Sequence, residues 1–207
     1  MSVSSKPLTE NFHLLNKAIG FAFAQHSKQA RKSGACNDLP YIIHPIDAMN
    51  FLVKNGVSDV NVLAAAVLHD VIEDTKTTIQ ELKDNFGEKI TSIVLECSND
   101  TKLDKVIRKQ KQLEHIFYAS PEAKLVKLAD KYSNSSYGVP SHWSKEEQRG
   151  YTFWAFAVCL ATQSVNKQVT EAVFALFKQL GIDSDTITDE EINKELEIYY
   201  KCIEHSE

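Results

Sequence analysis

The residues best suited to chemistry stand where a long apolar segment ends. Val62-Leu63-Ala64-Ala65-Ala66-Val67-Leu68 is uninterrupted, and His69-Asp70-Val71-Ile72-Glu73-Asp74 follows directly. At about 100° per residue, His69 and Glu73 lie about 40° apart, and so do Asp70 and Asp74. A helix continuing through them would present all four on a stripe about 140° wide. An imidazole beside a carboxylate can bind a divalent metal, and two more carboxylates a turn later can handle a proton. That chemistry is hydrolytic. A His-Asp pair alone says little, and polar groups at a helix end are commonly a solvated face. The setting adds weight, because these charges follow directly on an apolar run, where unpaired charge is costly.

Three other segments can supply partners. Tyr41-Ile42-Ile43-His44-Pro45 sets a histidine at a loop-to-helix junction, with proline fixing the local backbone. In the segment 121–134, Ala123, Leu125, Val126, Leu128 and Ala129 surround Asp130. Asn134 lies four residues on and shares its face, and Lys127 is about 60° away. Arg31-Lys32 closes the first long helical stretch. Each has an ordinary structural explanation: a helix cap, a salt bridge, a cation complementing a helix dipole. Taken together they fit one site. His44, His69, Asp70 and Asp130 are a borderline-hard ligand set suited to Mn²⁺, Fe²⁺ or Zn²⁺, with positions left for water and a phosphate oxygen. Glu73 and Asp74 are placed to orient that water or move its proton. Arg31 and Lys32 suit an anionic substrate, the arginine by bidentate contact.

The elements that must position these groups read as helices. Seven glycines and five prolines in 207 residues leave little material for a β-rich fold. Helical periodicity opens at Thr9 and runs over 9–33, with Leu14, Leu15, Ala18, Ile19, Ala22 and Phe23 on one side. A short helix begins at His44-Pro45 and stops near Asn55-Gly56. Ser58 is the expected N-cap of the next, which carries the four-group cluster. Thr78 and Glu81 have capping-box spacing, Gly87 ends that helix, and another covers 88–97. A charged helix follows over 104–117. Ser120-Pro121-Glu122 combines an N-cap, a proline at the first helical position and an acid in the first turn, starting a helix to about Asn134. After a loop over 135–144, helices are expected over 145–162 and 165–180. Thr188 to Glu191 is a second capping box. With no repeat and no dividing linker, the expectation is a single all-α domain over 1–207, a bundle of about eight to ten helices. Its core covers about 11–181, with a C-terminal helical extension over 182–207.

Composition bounds the function classes. Apolar residues make up 43% and charged residues 25%, ordinary for a soluble globular protein. The net charge of −5 argues against a general nucleic-acid binder. No apolar run approaches the roughly 20 residues of a bilayer span, and Met1 to Pro7 lacks the apolar core of a secretory signal. Cys36, Cys97, Cys159 and Cys202 stand far apart, without zinc-ribbon or disulfide-framework spacing. Free thiols in a cytoplasmic protein are expected, with any metal held by His and carboxylate. The basic run Lys102, Lys105, Arg108, Lys109 and Lys111 reads as a solvated helix face.

With these residues in place the chain resembles a known family. His44, His69-Asp70, and Asp130 within Lys124-Leu125-Val126-Lys127-Leu128-Ala129-Asp130-Lys131 are similar to the metal site of the HD superfamily. More narrowly, three stretches resemble the hydrolase domain of RelA/SpoT proteins, in the form of the small metazoan-type SpoT homologues. They are Tyr41-Ile42-Ile43-His44-Pro45-Ile46, Ala65 through Thr75, and Ser120 through Asn134. Weaker similarity covers about 11–181. The resemblance implies an all-α fold and a Mn²⁺-dependent 3′-pyrophosphohydrolase acting on the small nucleotide (p)ppGpp. Position by position, it implies His44, His69, Asp70 and Asp130 as Mn²⁺ ligands and Glu73 and Asp74 as the groups acting on the attacking water. Arg31, Lys32, Asn134 and Tyr151 match substrate-contacting or pocket-shaping positions, and Trp154 is expected in the core. Ser136 departs from the pattern, since the family commonly has Arg two residues after the Asn. Removal of the 2′-phosphate of NADPH, or cleavage of another nucleotide, would keep the same site. A nucleotide sensor without catalysis is disfavoured by the presence of both Glu73 and Asp74, and a helical adaptor would bind no metal.

Overall fold

The computed structural model describes residues 8–31, 39–163 and 165–204. Along the chain come α1 (Leu8–Gln25), α2 (Ile43–Lys54), α3 (Val60–Leu68), α4 (Val71–Asp74) and α5 (Ile79–Cys97). They are followed by α6 (Lys105–Tyr118), α7 (Pro121–Ser136), α8 (Lys145–Leu160), α9 (Lys167–Gln179) and α10 (Asp189–Glu204). Among the described residues there is no strand, only an antiparallel bridge between Ala30 and Pro40. The fold is all-α.

Local chemistry explains most boundaries. Ser120, Ser144 and Asn166 cap α7, α8 and α9, each side chain accepting from a backbone N–H three residues on. Thr188 and Glu191 cap each other at the start of α10, Thr188 N–H donating to Glu191 Oε2 at 2.9 Å and Glu191 N–H to Thr188 Oγ at 3.2 Å. At the end of α2, Gly56 takes φ 81° and Val57 N–H returns to the Leu52 carbonyl at 3.0 Å, a glycine-terminated helix end. Gly87, at φ 76°, breaks α5 where the sequence predicts one helix ending and another beginning.

Three expectations are corrected. The first helix stops at Gln25 rather than at 33, because Arg31 N–H pairs with the Leu39 carbonyl at 2.8 Å and Tyr41 N–H with Gln29 at 3.0 Å. Phe23 is exposed, so the buried side of α1 rests on Ala18 and Ala22. The cap of α3 is Asp59, which accepts from Asn61 N–H at 2.8 Å, and not Ser58.

The core is built around α3, whose residues Val62 to Leu68 are all buried. It packs against α1, α2, α5 and α7, and α7 in turn packs against α2, α8 and α9. α2, α3 and α7 are therefore mutual neighbours. Burying each large aliphatic side chain at this junction contributes about 1.5–3 kcal/mol. Among the described residues Cys97, Cys159 and Cys202 are free thiols, the first two buried in the same apolar interior, and Cys36 lies outside the described residues.

Candidate active site

α2, the α3–α4 junction and α7 aim their polar groups at one point. His44 comes from the first turn of α2, His69 and Asp70 from the junction, and Asp130 from the middle of α7. His44 Nε2 lies 3.2 Å from His69 Nε2. Asp70 Oδ2 is 3.1 Å from His69 Nε2 and 3.5 Å from His44 Nε2. Asp130 Oδ1 is 3.3 Å from His44 Nε2 and 3.7 Å from His69 Nε2. For metal–ligand bonds of about 2.0–2.2 Å, neighbouring donors in tetrahedral or octahedral sites stand roughly 3.0–3.6 Å apart. His44, His69 and Asp130 each present one donor within 4.8 Å of the others, a group able to hold a divalent cation, and Asp70 Oδ2 stands beside the two imidazoles. His44, His69 and Asp130 are at most 4% exposed, so their donors face one another and not solvent.

What lies behind each donor supports the fit. His69 Nδ1–H donates to the Ala66 carbonyl at 2.8 Å, which leaves Nε2 aimed inward. His44 Nδ1 stands 3.0 Å from Ser133 Oγ, whose own proton is directed to the His44 carbonyl at 3.4 Å. With its Nδ1 engaged by Ser133, His44 also presents its Nε2 inward to a cation. Asp130 divides its oxygens: Oδ1 faces the imidazoles and accepts from Asn134 Nδ2 at 2.7 Å, while Oδ2 accepts from Lys131 at 3.0 Å and faces Lys127 at 3.5 Å. Burial would raise the Asp130 carboxyl, but Lys131, Lys127 and the imidazoles hold it well below the usual range. Burial likewise works against Asp70, and His69 and His44 overcome it. For His69, burial disfavours the charged imidazole, but Asp70 and Asp130 push its pKa up to about 10.

The stripe expected from one continuous helix is interrupted between α3 and α4. His69 (φ −60°, ψ −27°) and Asp70 (φ −100°, ψ −5°) stay in the right-handed region, and Asp74 N–H still reaches the Asp70 carbonyl at 2.8 Å. The two later carboxylates have different partners. Glu73 Oε2 accepts from both the backbone N–H of Asn99 at 2.9 Å and its Nδ2 at 2.8 Å. Asp74 shares the Tyr41 hydroxyl with Asp70, at 3.2 Å and 2.5 Å respectively. Partial burial and the neighbouring Asp70 and Glu73 charges raise the Asp74 carboxyl to about 6. A carboxylate tuned toward neutrality is well matched to proton transfer.

Of these groups His44 and Asp74, but not Glu73, line a cavity of about 710 Å³, together with Arg31, Tyr41, Asn134 and Tyr151 among others. That is the size of a nucleotide-class ligand site. Arg31 is 4% exposed, stacks its guanidinium 4.2 Å from the Tyr137 ring and donates from Nη2 to the Ser133 carbonyl at 2.9 Å. Its Nη1 is buried with no hydrogen-bond partner, a cationic donor held ready for an anion. Tyr151 forms part of an aromatic wall with Trp143 at 5.5 Å and Trp154 at 5.7 Å, the latter fully buried as expected. Lys32 lies outside the described residues. Ser136 is exposed and donates to the Tyr132 carbonyl at 2.7 Å, away from the cavity lining.

Several contributors carry no spacing signal in the sequence. Ser133 is one, since it reaches His44 across 89 residues of chain. Asn99 and Trp143 are others. Lys109 separates from its basic neighbours and turns inward, its ammonium 3.4 Å from the Trp154 ring centre. Burial, with Lys131 and Lys127 nearby, holds its pKa well below that of a free lysine.

The HD domain pattern matches residues 18–149. Guanosine-3′,5′-bis(diphosphate) 3′-pyrophosphohydrolase MESH1 of Homo sapiens is 41% identical over 172 residues, covering 81% of this chain and 95% of that protein. This chain belongs to the HD-domain family, among MESH1-type proteins. The Drosophila melanogaster protein of the same description is 32% identical over 170 residues, 80% of this chain and 94% of that one. A solved structure described as a metazoan ortholog of SpoT that hydrolyzes ppGpp superposes with a TM-score of 0.75 at 31% identity, covering 86% of this HD protein and 99% of that chain.

Proposed function

We propose that this HD protein is a Mn²⁺-dependent 3′-pyrophosphohydrolase of guanosine 3′,5′-bis(diphosphate) and its pentaphosphate analogue, acting in the cytoplasm. The observation that carries the reading is the convergence of His44, His69, Asp70 and Asp130 beside a cavity whose wall holds the unpaired Arg31 Nη1. The identity to proteins described as 3′-pyrophosphohydrolases supports the choice of substrate.

His44, His69, Asp70 and Asp130 would hold the ion. When bound, it acidifies a water and neutralises phosphate charge. Asp74, with its raised carboxyl pKa, takes the proton of the attacking water. Glu73, fixed by the two Asn99 donors, orients that water. The water oxygen bonds to the phosphorus attached to ribose O3′, the P–O3′ bond breaks, and O3′ leaves as the 3′-hydroxyl of GDP or GTP, taking up the proton that Asp74 received from the water. Pyrophosphate is the other product. Arg31 Nη1 binds a phosphate oxygen, Asn134 keeps Asp130 Oδ1 directed inward, and Tyr151 meets the nucleoside portion.

The test is product analysis after incubating purified protein and Mn²⁺ with ppGpp and, side by side, NADPH. Pyrophosphate should be released from ppGpp, chelation should stop it, and none at all would refute the assignment. Glu73→Ala and Asp74→Ala should each lower kcat at least about 100-fold while sparing nucleotide binding.

A further inference from the structure

α10 lies across α8 and also touches α6. Its buried side is Ile192, Leu196, Tyr199 and Ile203. The closest approach is at Gly150 in α8. A Cβ added there would stand 2.6 Å from Tyr199 Cβ and 3.0 Å from two of its ring carbons, distances at which something must shift. Gly150 has no left-handed φ to explain it. A glycine inside a helix costs about 1 kcal/mol relative to alanine. Close approach of Tyr199 is therefore the physical reason for glycine at this position.

The neighbour of Gly150 is Tyr151, and the Tyr199 ring stands edge-on to it at 6.4 Å. Tyr199 is 1% exposed and so fixed in place. Arg149, on the other side of Gly150, is tied to Glu195 of α10 at 2.9 Å. From α6, Lys109 covers both Trp154 at 3.4 Å and Tyr151 at 5.1 Å. α10 thus meets α8, which carries Tyr151 of the cavity wall, and α6, whose Lys109 packs on that tyrosine.

We propose that α10 braces the aromatic wall of the substrate cavity, with Tyr199 as a positioning residue that sets Tyr151 through its contact at Gly150. The substrate part of this inference rests on the hydrolase reading. It gives the C-terminal extension a function, nucleotide affinity, distinct from the metal chemistry on α2, α3–α4 and α7.

The test uses full-length, Mn²⁺-loaded Tyr199→Ala, Gly150→Ala and Tyr199→Phe. Gly150→Ala favours the α8 helix intrinsically and acts by forcing Tyr199 away. For Tyr199→Ala and Gly150→Ala, KM for ppGpp should rise roughly 10-fold with kcat within about twofold, and Tyr199→Phe should match the wild type. The chain has two tryptophans, Trp143 and Trp154, and both pack on Tyr151. Acrylamide quenching of their fluorescence should therefore increase in the same two variants. Wild-type KM and quenching in folded variants would overturn the proposal, as would a fall in kcat at unchanged KM. Loss of folding in both would also overturn it, making α10 a requirement of the fold and not a brace. If the wild type fails to cleave ppGpp, the hydrolase reading falls, while quenching still judges the brace.

Discussion

Each imidazole of the site is committed by what its far nitrogen touches. His69 Nδ1–H is engaged with the Ala66 carbonyl and His44 Nδ1 with Ser133 Oγ, so proton and metal compete for Nε2 of His69. Without metal, Asp70 and Asp130 outweigh the burial of His69 and push it up to about 10, against 6.5 for a free imidazole. A raised folded-state value contributes stability that is fully present below about 6.5 and is lost as pH rises through about 10. The metal-free protein should therefore lose melting temperature between pH 7 and pH 10. At pH 7 a divalent ion must displace this proton, so metal affinity should rise with pH. Calorimetric titration with Mn²⁺ in buffers of different ionisation enthalpy should give heats that vary with the buffer, corresponding to about one proton released per ion. Heats independent of buffer would show that His69 is neutral before the ion arrives.

At the scale of elements, what the sequence discloses is what neighbours in the chain decide. The start of α7 is legible because Ser120, Pro121 and Glu122 act on backbone groups within one turn, and the Gly87 break is legible because only glycine enters that conformation readily. The end of α1 is not: no glycine or proline marks it, and the chain leaves the helix to pair Arg31 with Leu39. The same division holds for the candidate site. Apolar runs around polar residues pick out His69, Asp70 and Asp130, whereas Ser133 looks like any helix-surface serine until α2 packs against α7. Asp59 and Ser58 show how fine the resolution is, since either could cap α3 and only Asp59 accepts from Asn61. Asp59→Ala should lower stability by about 1 kcal/mol in urea denaturation, and Ser58→Ala should leave it within about 0.5 kcal/mol. The reverse order would move the start of the helix that delivers His69.

For the whole molecule, the four donors come from segments separated by up to 86 positions in sequence, from His44 to Asp130. A cation bound to all of them ties α2, α3–α4 and α7 together in the folded state and has no counterpart in the unfolded chain. Binding energy is then folding energy, and at an ion concentration 100 times Kd it amounts to about 2.7 kcal/mol. For a chain of this length that should raise the melting temperature by roughly 5–10 °C, reversibly on chelation. Asp130 has a second duty that separates the contributions, because its Oδ2 is the counter-charge of the buried Lys127 and Lys131. Asp130→Asn should both lower the melting temperature of the metal-free protein and abolish the response to Mn²⁺. His44→Ala should abolish the response with a smaller loss in the metal-free protein, since neither Lys127 nor Lys131 takes its counter-charge from His44. A wild-type melting temperature unmoved by Mn²⁺ would mean that the three elements converge for reasons of packing alone.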